Sequence, residues 1–315
     1  MKRWQRVSAL LLAMLLVLSA GCTSAPAADQ GGEGQQKAAA GFPVEVKDDT
    51  GEQVTVKEEP KRIVSLLPSM TETVYALDRG DRVVGVTTND TYPKAVKKVE
   101  KVGDMKINVE KVVSLKPDLV LASPGMNGKE TIDQLRKLGL TVIALEPKNL
   151  TEVFAQIEAV GKATGSAEKA DQLIQKMNKE RALAEKVASQ VPKDQRAKVW
   201  VEVSPDLFTA GNHTIMNELI SLAGGDNVAK EQEGWVQVSS EKVVKWNPDV
   251  ILYTHTEKPA AIASRGGWKS IEAVKEERIQ SLPPDIVSRP GPRITEGLLH
   301  ITKAIYPEAY ADVVK

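Results

Sequence analysis

One pattern occurs twice in the chain and limits what it can fold into. NVEKVVSLKPDLVLAS at 108–123 returns as SSEKVVKWNPDVILYT at 239–254, with Glu-Lys-Val-Val, Pro-Asp and one Leu at matching offsets. Each copy predicts a capping residue, a short helix, a break and a strand. Pro117 and Pro248 cannot continue a helix, and 119–121 and 250–252 are apolar runs. The copies lie too far apart for a solenoid, so the pattern predicts two similar domains rather than an array.

The flanking sequence gives both domains the same class. After a hairpin pattern, PVEVKDDTGEQVTVKEEP with its turn near Asp49 to Gly51, short Val/Ile/Leu runs at 62–67, 83–87, 118–122 and 141–145 alternate with amphipathic helices. Such runs suit buried parallel strands, and the class is α/β. Ser69-Met70-Thr71-Glu72 after Pro68 has the spacing of a capping box, predicting a helix from there to about Leu77. From Leu150 to about Gln190 there is no Pro and the apolar period is helical. This predicts one long helix, or two nearly collinear ones broken around 161–165, ending at Val191-Pro192. A second α/β series follows, with strands at 198–203, 249–254 and 278–282. The expected organisation is a lobe at 42–149, a connecting helix at 150–192 and a lobe at 193–315.

The first residues read as an export leader: Lys2, Arg3 and Arg6, an apolar run at 9–18, then small residues up to Cys22. The run is short for a membrane-spanning helix. Cys22 is the only cysteine, so it can form neither an internal disulfide nor a thiolate metal cage. Residues 23–41 are Ala, Gly, Gln, Ser and Pro with little to bury, as in a flexible tether. Lys plus Arg and Asp plus Glu both number 42, so no global field favours nucleic acid or another polyanion. There is no GxxxxGK[ST] loop and no GxSxG elbow, and His213, His255 and His300 form no local ligand pair. An enzyme, with a nucleophile and base assembled from distant residues, is the alternative of another class.

Leu18-Ser19-Ala20-Gly21-Cys22 resembles a bacterial lipobox, with Ser19 where Leu is commoner. Two α/β lobes and a long helix behind such a leader resemble the helical-backbone solute-binding proteins of ABC importers for cobalamin, ferric siderophores and haem. RIVSLLPSMTETVYAL, VGVTTNDTYP, LFTAGNHTIMNELISLAGGDNVA, GWVQVSSEKVVKWNPDVIL and SRPGPRIT carry the resemblance, in this order, from Lys61 to the C-terminus. It implies a lipid-anchored, extracytoplasmic, monomeric and non-enzymatic receptor without a cofactor. Such a receptor takes a corrinoid, or alternatively a ferric siderophore or haem, in a cleft between its lobes and delivers it to a membrane permease dimer.

The resemblance also assigns residues. Cys22 is the lipidated position. Ser69, Asn89, Asp104 and Ser123 face the cleft from the first lobe, and Phe208, Trp235 and Arg289 from the second. The first-lobe residues are polar where cobalamin-binding members carry rings, which keeps siderophores and haem open. Core packing is an alternative for Phe208 and Trp235, and a surface ion pair for Arg289. Glu110 and Glu241, matched in the two repeat copies, correspond to acidic residues that meet permease arginines. A carboxylate in a first helical turn also favours the helix dipole by about 0.3–1 kcal/mol without any partner.

Overall fold

The computed structural model describes residues 41–314, so the expected leader, Cys22 and most of the tether lie outside the described residues. Strand β1 (Val44–Lys47) pairs antiparallel with β2 (Gln53–Val56) in the expected hairpin. Asp48 shapes the turn, its Oδ1 accepting from the Thr50 amide and hydroxyl and from the Glu52 amide. Its Oδ2 accepts from Arg136 at 2.5 Å and from the Ala144 amide at 3.1 Å, which fixes the hairpin to the first lobe.

That lobe is a parallel sheet of β3 (Ile63–Ser65), β4 (Val83–Val86), β5 (Glu100–Lys101), β6 (Leu119–Ala122) and β7 (Val142–Ala144), in the order β5-β4-β3-β6-β7. The second lobe contains β8 (Lys198–Glu202), β9 (Phe208–Ala210), β10 (Asp226–Asn227), β11 (Trp235–Gln237), β12 (Val250–Tyr253) and β13 (Ile279–Ser281). Its parallel sheet has the order β10-β8-β12-β13, while β9 and β11 form a separate antiparallel pair. Every strand expected from an apolar run is present. The four that were not expected, β5, β9, β10 and β11, are two or three residues long and lie outside those apolar runs.

The repeat has a structural reason. Asn108 and Ser239 cap their helices, Val109–Ser114 and Ser240–Trp246, by accepting from the amides of Lys111 and Lys242. Lys116 and Asn247, at the same offset, both turn the chain through a left-handed conformation, φ 47° and 48°, just before the prolines. Asp118 and Asp249 then dock the new strand on its neighbour. Each amide donates to the start of the earlier strand, at Arg62 and Lys198, 2.8 Å in both cases. Each carboxylate accepts from amides there: Lys61 and Arg62 in the first lobe, Lys198 in the second.

Strand residues alternate between two cores, as the pleat requires. Ile63, Leu119, Leu121 and Ile143 of the first sheet and Val199, Val201, Val250 and Leu252 of the second belong to one continuous inner core spanning both lobes. Their alternates face separate outer cores, Val64, Val120 and Val142 in the first lobe and Trp200 and Ile251 in the second.

Two helices occupy the segment between the lobes, Leu150–Ala163 and Ala167–Ala188, and they are not collinear. Gly165 adopts φ +67°, the Ser166 amide donates to Gly161 O at 2.7 Å, and the Gly165 amide donates to Lys162 O at 3.3 Å. These are the paired bonds of a Schellman turn, which ends a helix and redirects the chain. The second helix folds back so closely that a Cβ on Gly161 would lie 2.5 Å from the Ala170 Cβ. This second helix, roughly 33 Å long at 1.5 Å per residue, bridges the lobes. Lys169 pairs with Asp78 of the first lobe at 2.8 Å, and Glu180 accepts from Thr295 of the second at 2.6 Å. Among the described residues no helix is long and apolar enough to cross a membrane.

The expected capping box does not form. The helix Pro68–Ala76 starts at Pro68, so Ser69 already lies inside its first turn and no side chain caps it. Pro is tolerated at this first position because its missing N–H would have had no helical partner. Glu72 is thereby released for a different partner.

Candidate ligand-binding cleft

The parallel strands of the first lobe deliver their C-terminal ends to a cavity between the lobes, where ligands bind in open α/β sheets. The cavity is about 470 Å³, open to solvent and mostly apolar, with Leu67, Met126, Leu145, Pro147, Ile215 and Pro290 in its wall. Ser69 and Asn89 follow β3 and β4, and Ser123 and the stretch 145–148 follow β6 and β7. From the second lobe come the 213–215 turn, Trp235 and the 288–290 loop.

Of the expected residues, Ser69, Asn89, Ser123, Trp235 and Arg289 line this cavity. Ser69 and Ser123 are nearly buried, and the Ser123 hydroxyl accepts weakly from the Met126 amide at 3.4 Å. Asp104 is not in the wall: it lies on an exposed turn where its Oδ1 accepts from the Lys106 amide. Phe208 is also outside the wall, yet it stacks on Trp235 with ring centroids 6.3 Å apart and planes at 12°. The antiparallel β9/β11 pair holds the indole rigid while leaving it 45% exposed. The stretch 145–148, with Glu146 and Lys148, was missed by sequence reasoning, although its place after an apolar strand could have revealed it.

Arg289 is engaged by the opposite lobe. Glu72, 2% exposed on the helix Pro68–Ala76, accepts from Arg289 Nη1 at 2.8 Å and from Arg293 Nε and Nη2 at 2.8 and 2.6 Å. Arg289 Nη2 also donates to Asn89 O and Thr91 Oγ1 and pairs with Asp285 at 3.1 Å. Arg293 sits over the Tyr92 ring, 4.1 Å from its centroid, and the hydrogen bonds it donates to Glu72 hold its pKa above the usual arginine value against the opposing effect of burial. Behind Asn89, burial pushes the Asp90 carboxyl up from its ordinary pKa, against the lowering effect of hydrogen bonds from Thr71 and Thr87.

His213, which lines the cavity, has a left-handed backbone, φ 56°, and its Nδ1 donates to Glu233 Oε1 at 2.7 Å in an exposed pair. His255 lies instead in a buried node, with Glu202 and Glu257 close enough for a shared metal ion. Arg265 already supplies the cation there, donating twice to Glu202 at 2.7 Å and once to Glu257 at 2.7 Å. His300 is exposed on the helix Ile294–Ile305.

Glu110 and Glu241 are exposed second residues of the two repeat helices and make no ion pair among the described residues. The Glu241 carboxyl is held below its ordinary pKa by its own backbone amide and by the Ser239 side chain.

The family model described as Periplasmic binding protein matches residues 63–286, which spans both parallel sheets and all of the cavity wall except the 288–290 loop. The chain belongs to that family. This periplasmic binding protein is 46% identical over 310 residues to the uncharacterized ABC transporter substrate-binding lipoprotein YvrC of Bacillus subtilis, covering 97% of this chain and 98% of that one. It is 34% identical over 200 residues to a vitamin B12-binding protein of Yersinia pseudotuberculosis, covering 62% of this chain and 70% of that one. A crystal structure described as a possible iron-binding periplasmic solute-binding protein of Staphylococcus epidermidis superposes with TM-score 0.68 at 35% identity, covering 79% and 100% of the respective chains.

Proposed function

We propose that this protein is the extracytoplasmic receptor of an ABC importer and captures a corrinoid in the inter-lobe cleft. The observation that carries this reading is Trp235, a half-exposed indole held by Phe208 on the wall of an apolar cavity. A rigid aromatic face at the edge of an apolar cavity suits a large ring, and the Yersinia relative carries the name of a corrinoid binder. Trp235→Ala should weaken cyanocobalamin binding by on the order of 1 kcal/mol or more, about fivefold. Calorimetric titration measures this, and an unchanged Kd in a folded variant removes Trp235 from the site. Recovering the ligand with unchanged mass separates capture from turnover.

A ferric siderophore or haem is the second reading, favoured by His213. Glu233 fixes its Nδ1, an arrangement that orients metal-ligating imidazoles, and Nε2 is left for a metal chelate. Added haem should then give a histidine-ligated absorption spectrum that His213→Ala abolishes.

The proposed delivery step uses Glu110 and Glu241. Each stands exposed in the first turn of its repeat helix, one on each lobe. There they can meet two cationic points on a permease dimer. Cys22 is the proposed lipid attachment, checked by mass spectrometry of a mature N-terminus starting at an acylated Cys22.

A further inference from the structure

The charges around the cleft bear on which large chelates it accepts. Among the described residues four ionisable ones line the cavity: Glu146, Lys148, His213 and Arg289. Glu146 and Lys148 are of opposite sign and two residues apart. His213 is bonded to the Glu233 carboxylate. Arg289, the wall's one guanidinium among the described residues, is held by buried Glu72 and by Asp285, and the second arginine on the same loop, Arg293, is held by Glu72 as well. Two arginines thus face two carboxylates, and three of the five N–H groups of Arg289 are already donated to Glu72, Asn89 and Thr91.

We infer that the cleft selects chelates of no net charge, and that Glu72, which touches no ligand itself, sets this selectivity by holding Arg289 away from the ligand. The inference rests on the receptor reading above and narrows it. An uncharged corrinoid or a neutral ferric hydroxamate fits, while the carboxylates of haem and a trianionic ferric catecholate meet a guanidinium already held by Glu72 and one ammonium, Lys148, which makes no ion pair among the described residues and whose charge is offset by Glu146 in the same wall. To reach such an anion Arg289 would have to leave Glu72, stranding a buried carboxylate with one arginine, a costly rearrangement. Gly291 adds a steric hold, since a Cβ there would lie 3.1 Å from Ser69 O, so the loop carrying both arginines is seated directly on the first lobe.

The test titrates the whole protein with cyanocobalamin, a neutral ferric trihydroxamate, haem and a ferric triscatecholate at two salt concentrations. The wild type should bind a neutral chelate at least about tenfold more tightly than either anionic one. Glu72→Gln should narrow that ratio by on the order of tenfold, by gaining affinity for the anions with a new salt dependence, because one positive charge at the wall is then uncompensated. Asp285→Asn, at an exposed position, should shift the ratio in the same direction by less, and it serves if Glu72→Gln does not fold. Wild-type binding of an anionic chelate as tight as that of the neutral ones overturns the selectivity while leaving the receptor reading intact. Failure of all four compounds to bind the wild type overturns the receptor reading, and this inference with it.

Discussion

Replacing Gly165 with Ala distinguishes two arrangements of the inter-lobe segment by the sign of the effect. In a continuous helix, Gly→Ala stabilises by about 1 kcal/mol, because Ala is the better helix former. In the folded-back arrangement, Gly165 sits at φ +67°, where a side chain costs roughly 1–2 kcal/mol. The new Cβ would also lie 3.1–3.2 Å from the Glu59 side chain. Glu59 cannot swing away freely, since it pairs with Arg82 at 2.8 Å and Arg79 at 3.5 Å. Arg79 in turn donates to Thr164 O and Gly165 O, so the strain falls on the turn itself. The expected loss of about 1–2 kcal/mol should lower Tm by roughly 2–8 °C in a thermal melt. A companion experiment uses Gly161→Ala, whose Cβ would collide with that of Ala170, and adds Ala170→Gly in the same chain. The single variant should be destabilised and the exchange should recover part of the loss. A higher Tm for Gly165→Ala would refute the Schellman turn and restore a continuous helix.

Two further outcomes concern charge. The Asp90 carboxyl titrates above its ordinary value, so its protonated form is favoured by folding; the stability it contributes is present below about pH 4 and lost as pH rises through the raised pKa. Asp90→Asn should therefore gain in Tm relative to wild type between pH 4 and pH 7, and a constant difference across that range would remove Asp90 as the cause. Glu110→Gln and Glu241→Gln, singly and together, should leave Tm and ligand affinity near wild type. Affinity for the reconstituted permease should fall most in the double variant, and equal permease affinity at low salt would leave only the helix-terminal role.

The sequence by itself determined the α/β class, the duplicated unit and every strand of four or more residues. These depend on local chemistry: apolar runs of strand length, prolines that end helices, and an aspartate placed to dock one strand on the next. In Asp118 and Asp249 the same residue performs the same task in both lobes, which is why the repeat remains visible in the sequence. Tertiary structure decided the direction of the chain after Gly165, since a glycine in a helical pattern is compatible with continuation or reversal until Gly161 meets Ala170. It also decided the partner of Glu72. A capping box is complete within four residues of sequence, whereas the arginines that actually hold this carboxylate are 217 and 221 residues away. The same holds for the cleft wall, where Trp235 was legible as a lone aromatic in a glycine-flanked loop, but its backing by Phe208 and the exclusion of Asp104 were not. Periodicity and spacing record what neighbours along the chain can do for each other; which distant charges meet, and which are thereby withheld from a ligand, is settled only when the two lobes pack around one inner core.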